Sequence, residues 1–230
     1  MRMSEIKNIQ FYYREGTSDF KTFEEVIKAD VYRKRGMTIE KNERWIDCGA
    51  NVGAFTLLAC SLKAQVTAYE PDPNNCKMIE HNLKLNGYDA NVICAGLTHD
   101  NRKRANLYVG NNGNVWRNSM FKNWNGKGIK IDCVNFDEVV PDDVCVKMDI
   151  EGAEMLILEN TNRKFKKLVF EWSFDIDPSL PRFWNIVEKC KHIYNVKFEE
   201  HRTCYDDRRD ILWQKSWFPA CTNVFCYAKN

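Results

Sequence analysis

The chain has 230 residues, of which 44% are hydrophobic and 29% charged, with a formal net charge of +2. That length supports one α/β domain over 1–230 with a substantial core, and the charge gives no reason to expect nucleic acid or an anionic membrane as partner. No apolar segment approaches the roughly 20 residues of a membrane span, and the first residues lack the apolar core of a secretion signal.

Residues 1–43 read as a lead-in. The first strand is predicted at 44–48, where an apolar run ends in Asp47-Cys48. A turn, Gly49-Ala50-Asn51-Val52-Gly53, follows, and then an apolar helix from Ala54 through Cys60. Such a strand-turn-helix lets backbone approach a nucleotide-like ligand closely. The second strand, 65–70, closes in Glu70 and Pro71. An acid there is placed to bind ribose hydroxyls. A dinucleotide fingerprint needs glycine where Asn51 stands, because pyrophosphate packs on bare backbone. Asp47 instead suits a ligand with positive charge, such as the ammonium of S-adenosylmethionine. On that reading Asp47 and the backbone of Gly49, Ala50, Asn51 and Gly53 hold the amino-acid end. Glu70 and Pro71 take the ribose, and Asn75, Ala95 and Gly96 border the adenine.

A helix with Cys76, Ile79 and Leu83 on one face stops at Asn86-Gly87, and the third strand is expected at 90–94. Residues 110–128 break the alternation, with six asparagines, two tryptophans and four glycines. A long loop of this composition in a compact domain suits an acceptor site. Asn114 and Asn118 offer donors and acceptors to hydroxyls, and Trp116 and Trp124 offer ring faces. The alternative is a solvated hairpin whose tryptophans tuck into the core. The fourth strand, 144–149, runs into a helix predicted over 150–159, so that Asp149, Glu151 and Glu154 crowd its tip. Glu154, and in part Glu151, also fit a helix-capping role. Glu171 lies near the end of the fifth strand, 168–172. A helix over 181–191 and strands at 194–198 and 222–228 follow, the last two read as an antiparallel hairpin at the sheet edge. Residues 201–220, with Trp213, Trp217 and Phe218, form a second candidate acceptor loop. The sum is a doubly wound, mostly parallel seven-stranded sheet. Ten cysteines show no Cys-x-x-Cys pair, and several, including Cys48, Cys60, Cys94, Cys133 and Cys145, fall in apolar runs. They read as free, buried thiols of a reducing, cytoplasmic compartment.

Three strings in order, Asp47-Cys48-Gly49-Ala50-Asn51-Val52-Gly53, Tyr69-Glu70-Pro71 and Lys147-Met148-Asp149-Ile150-Glu151-Gly152-Ala153-Glu154, resemble the FkbM family of S-adenosylmethionine-dependent methyltransferases. Asp30-Val31-Tyr32 and the segment 131–137 also fit, so the resemblance covers roughly 30–172. It implies a class I methyltransferase fold and methylation of a hydroxyl, often on a sugar or a glycosylated small molecule.

Such chemistry needs a group that takes or holds the hydroxyl proton. Asp149 and Glu171 are the first candidates and Glu151 the third, whereas none of the four histidines is compelling. Two carboxylates at neighbouring strand tips can also hold Mg²⁺ or Mn²⁺. The competing functions are an RNA ribose methyltransferase, a non-catalytic donor-binding module and a dehydrogenase. The first wants lysine where Glu171-Trp172 stand, the second should lose its cleft acids, and the third meets Asn51.

Overall fold

The structure, a computed structural model, describes residues 1–110, 118–123, 127–174, 176–198 and 221–229. The lead-in opens as a hairpin, β1 (Arg2–Ile6) and β2 (Ile9–Tyr13), followed by α1 (Asp19–Phe23), which continues as a wide helical turn over Glu24–Lys28. A single short turn, Val31–Arg33, precedes the main sheet. The chain then alternates through β3 (Arg44–Cys48), α2 (Ala54–Ser61), β4 (Gln65–Tyr69), α3 (Pro73–Asn86) and β5 (Asn91–Ile93). A smaller sheet follows, of β6 (Gly96–Thr98), β7 (Arg104–Tyr108) and β8 (Gly128–Asn135), and then the short α4 (Phe136–Val139). The main sheet resumes with β9 (Cys145–Met148), α5 (Ala153–Asn160), β10 (Lys167–Ser173), α6 (Leu180–Ile193), β11 (Tyr194–Phe198) and β12 (Cys221–Ala228).

The seven-stranded sheet has the order β11-β12-β10-β9-β3-β4-β5. Five strands are parallel, and β12 runs antiparallel to both β10 and β11. All seven predicted strands are present, and the order reverses between β3 and β9, where ligands of open α/β sheets bind. The last two strands do pair antiparallel, but β12 lies inside and β11 forms the edge. The helix predicted from residue 150 starts at Ala153, because Glu151 and Gly152 take left-handed φ values of 52° and 109°.

The sheet is covered on both faces, which is why its strands read as continuous apolar runs. One core holds Phe11, Phe23, Ile27, Trp45, Phe55 and Ile79, the other Val146, Leu158, Phe170, Trp172, Phe183 and Val224. The lead-in is part of the first core. Phe11 stacks on Phe23 at 3.9 Å, and the amides of Asn82 and Asn86 on α3 bond the β2 backbone at Tyr12 and Gln10. α3 begins with Asp72 accepting from the Asn74 amide and ends at Gly87, whose φ of 63° suits a glycine cap.

The cysteine reading needs one correction. Cys48, Cys60, Cys133 and Cys145 are free and buried, but Cys94 is joined by a disulfide to Cys76. The first turns of α3 bring Cys76 against the end of β5, a tertiary proximity that spacing in the sequence does not reveal. The cysteine pattern therefore carries no argument about compartment. Among the described residues no helix is long and apolar enough to cross a membrane.

Candidate active site

The β3–α2 turn and the β9–α5 turn are packed together at the C-terminal edge of the sheet. Gly49 has φ 78°, and a Cβ there would overlap the Asp149 carbonyl oxygen. The Asp149 amide donates to the Cys48 carbonyl at 3.1 Å. Glycine is thus required at 49 because a second turn occupies the space of a side chain. Gly53 serves packing too: its φ is 87° and an added Cβ would press on Ile79 at 3.2 Å.

Asp47 is fully buried and does not line the cavity. Its Oδ2 accepts from Thr56 Oγ1 at 2.7 Å, and its Oδ1 lies 3.2 Å from Lys147 Nζ. Lys147 in turn donates to the Gly49 carbonyl at 2.8 Å. Burial pulls the Lys147 ammonium down, but Asp47 and Asp149 outweigh it and hold the group above its ordinary value. The direct ammonium contact expected of Asp47 is therefore not available. Its charge is matched by Lys147, and it acts by fixing the turn from beneath. Gly53, likewise, does not reach the cavity.

Glu70 is 4% exposed and accepts three hydrogen bonds, from the Asn51 amide at 2.8 Å, the Asp72 amide at 2.9 Å and Asn75 Nδ2 at 3.2 Å. Burial pushes its carboxyl up to about 7 against those bonds. Asn75 is oriented by Arg14 Nη2 at 2.8 Å, and Arg14 is itself paired with buried Asp19 at 2.8 Å. The Asn51 Oδ1 is buried without a hydrogen-bond partner, and Asn51 lines the cavity.

Asp149 and Glu171 come together on neighbouring strands. Tyr32 Oη donates to Asp149 Oδ2 at 2.6 Å. Burial and the Asp149 charge push the Glu171 carboxyl well above the usual range, partly offset by a hydrogen bond from the Cys221 thiol. Cys221 is pushed up by burial and by the same two acids. Glu171 is thus pushed toward its neutral form beside Asp149. Glu154 has another task. It is buried, both its oxygens accept from the Gly152 amide at 3.0 Å, and burial lifts it to about 8. Glu151 lines the cavity, and its carbonyl accepts from Ser119 Oγ at 2.5 Å.

Asn51, Glu70, Asp149, Glu151 and Glu171 face a cavity of about 510 Å³. Of the cofactor residues expected from sequence, Gly49, Ala50, Asn51, Glu70, Pro71, Asn75, Ala95 and Gly96 line it, and Asp149 lines it beside them. Asn118 lines it as well, with Nδ2 on Asp72 at 3.2 Å and Oδ1 on the Gly110 amide at 3.0 Å. Asn114, Trp116, Trp124 and the segment 201–220 lie outside the described residues. Sequence reasoning missed Tyr32, Glu25, Lys147, Ser173, Cys221 and Asn223, all of which line the cavity. The available signals were a lysine inside an apolar strand, since a buried cation needs a partner, and the Asp30-Val31-Tyr32 string. Among the described residues no three His, Cys, Asp or Glu side chains converge as a metal site.

The donor set fits S-adenosylmethionine. The Glu70 carboxyl, the unpartnered Asn51 amide oxygen and the Asp149 carboxyl all face one cavity.

The family described as Methyltransferase FkbM domain matches residues 47–201. No curated protein matches the chain. Solved structures of low identity share its fold. The precorrin-6y C5,15-methyltransferase of Geobacter metallireducens GS-15 is 14% identical, with 95% of each chain covered and a TM-score of 0.50. A fibrillarin/Nop5p complex chain is 12% identical, with 99% of this chain and 97% of that one covered and a TM-score of 0.53. A Pyrococcus abyssi tRNA (uracil-54, C5)-methyltransferase, bound to S-adenosyl-L-homocysteine, is 10% identical at a TM-score of 0.52. That match covers 98% of this chain and 43% of the other. The match begins at Asp47 and extends beyond the last motif to residue 201, and on it the chain belongs to the FkbM family of S-adenosylmethionine-dependent methyltransferases.

Proposed function

We propose that the enzyme methylates a hydroxyl oxygen, on a sugar or glycan, with Asp149 accepting the proton. The observation that carries this reading is the paired arrangement of Asp149 and Glu171 in the cavity wall, the first held by Tyr32 and the second disposed to keep its proton.

The donor, when bound, supplies an electrophilic methyl group. The residues do the rest. Backbone at Gly49, Ala50 and Asn51 bounds the amino-acid end, and the Asn51 Oδ1 accepts from a donor N–H there. Glu70 accepts from the ribose diol, and Asn75, Ala95 and Gly96 flank the base. Asp149 Oδ2 is committed to Tyr32, which leaves Oδ1 to take the acceptor proton as the oxygen becomes nucleophilic. Glu171, protonated, donates a hydrogen bond that orients the acceptor, and Ser173 and Asn223 add polar contacts on the same wall. Positioning of this kind supplies much of the acceleration in methyl transfer.

A methyl-transfer screen over free sugars, nucleotide sugars and oligosaccharides tests the reading. Transfer to a carbohydrate hydroxyl, lost in Asp149→Asn, is the expected outcome. Robust methylation of RNA or protein with none of any glycan rejects the substrate class. Activity abolished by EDTA and restored by Mg²⁺ or Mn²⁺ would move the two acids from proton acceptor to metal ligand.

A further inference from the structure

We propose that Tyr32 is the positioning residue of the reaction, its hydroxyl engaging one Asp149 carboxylate oxygen so that the other faces the acceptor. The inference rests on the reading of Asp149 as proton acceptor.

Tyr32 lies ahead of the matched stretch 47–201 and 117 residues before its partner. Its place is fixed without help from Asp149. Asp30 before it pairs with Arg33 at 2.7 Å. The Arg35 carbonyl after it accepts from Tyr227 Oη and Lys197 Nζ, each at 3.1 Å, which pins the segment to β12 and β11. Its ring meets Phe55 edge-on at 5.8 Å, and Lys147 Nζ sits 5.2 Å from the ring centre. A short hydrogen bond from so rigid a donor both stabilises the carboxylate charge and sets its rotation.

The charges around Asp149 make this bond consequential. The Asp149 charge raises Glu171 from β10, Glu154 from α5 and Glu25 from the lead-in, while Asp47 from β3 acts on Tyr32 and the adjacent Glu151 on the Cys221 thiol of β12. Lys147 favours the charge, but it is already shared with Asp47. Tyr32 cannot itself serve as base, because burial, reinforced by Asp149, Glu171 and Asp47, holds its phenol well above the ordinary value.

The test is an NMR titration of aspartate carboxyls in isotope-labelled enzyme, with the Asp149 signal assigned through Asp149→Asn. In Tyr32→Phe the Asp149 midpoint should rise by about one pH unit or more, the equivalent of one charged hydrogen bond. In the native enzyme the Tyr32 ring signal should move at the same pH as Asp149. Calorimetry with S-adenosylmethionine adds a functional readout, in which the variant loses affinity at a higher pH on acidification. An unchanged midpoint overturns the role of Tyr32. Should Tyr32→Phe not fold, a native Tyr32 signal indifferent to the Asp149 titration overturns it equally. Full turnover by Asp149→Asn, with the NMR coupling intact, would instead reject the proton-acceptor reading beneath it.

Discussion

Donor binding should expel a proton from Glu70. Burial holds this carboxyl up at about 7 despite its three hydrogen bonds. A ribose diol donating into it would favour the ionised form, so binding and deprotonation are coupled. At pH 6, about one unit below the folded value, roughly nine in ten Glu70 side chains are protonated, and donor affinity should sit about tenfold below its plateau. The plateau should be reached by about pH 8. Without ligand the sign is opposite. The unfolded chain loses this proton near 4.5, so the folded state binds more protons between that value and about 7, and Glu70 lowers stability by about 3 kcal/mol as pH rises across the window. Calorimetry of S-adenosylmethionine binding in buffers of different ionisation enthalpy counts the proton released. Glu70→Gln should remove most of it, and Glu171→Gln identifies any share belonging to the second raised acid. A native enzyme that releases no proton between pH 6 and 7, or a Glu70→Gln variant that releases as many, would refute the coupling.

The other expectations concern the acids and the turn. Asp149→Asn should keep its melting temperature within a few degrees yet lose most turnover, whereas Glu151→Gln should retain more of it, as steady-state assays on the screened acceptor would show. Lys147→Met should cost about 3–5 kcal/mol in urea unfolding, because it strands the fully buried Asp47 carboxylate. A loss below about 1 kcal/mol would mean the pair is already solvated. Gly49→Ala should cost several kcal/mol and weaken donor affinity together, since its Cβ would displace the Asp149 carbonyl; unchanged binding would show that the turns move independently.

The strands of the main sheet were legible because each is covered on both faces and so reads as an unbroken apolar run. The glycine turn, Glu70 and Asp149 were legible because their chemistry is local, a strand tip followed by a turn. What lay hidden depends on strand order. Asp47 looked like a ligand to a cationic donor until β3 was seen beside β9, where the register sets it opposite Lys147. The sequence holds both residues but not their adjacency. The resemblance included Tyr32, but its place at the site was hidden for the same reason, a lead-in residue brought over the sheet by packing of Phe11 and Phe23 against α2 and α3. Cys76 and Cys94 met across a helix and a strand. Cys221 and Asn223, opening a strand that inserts between β10 and β11, offered no local pattern that marks a cavity wall.

The adjacency of β3 and β9 also bears on how the enzyme comes to exist in time. The turn from β3 and the acid from β9 are separated by the whole of the β4–β8 region, and the Lys147–Gly49 bond spans 98 residues. Contacts of such long range close late, after the entropy of a large loop has been overcome. The half containing β3, β4 and β5 can gather its neighbours locally and present Glu70 early. The acid pair can arrive only when β9 slots in and β10 follows. Pulse-labelling hydrogen exchange should show amides of β4 and α3 protected ahead of those at β9.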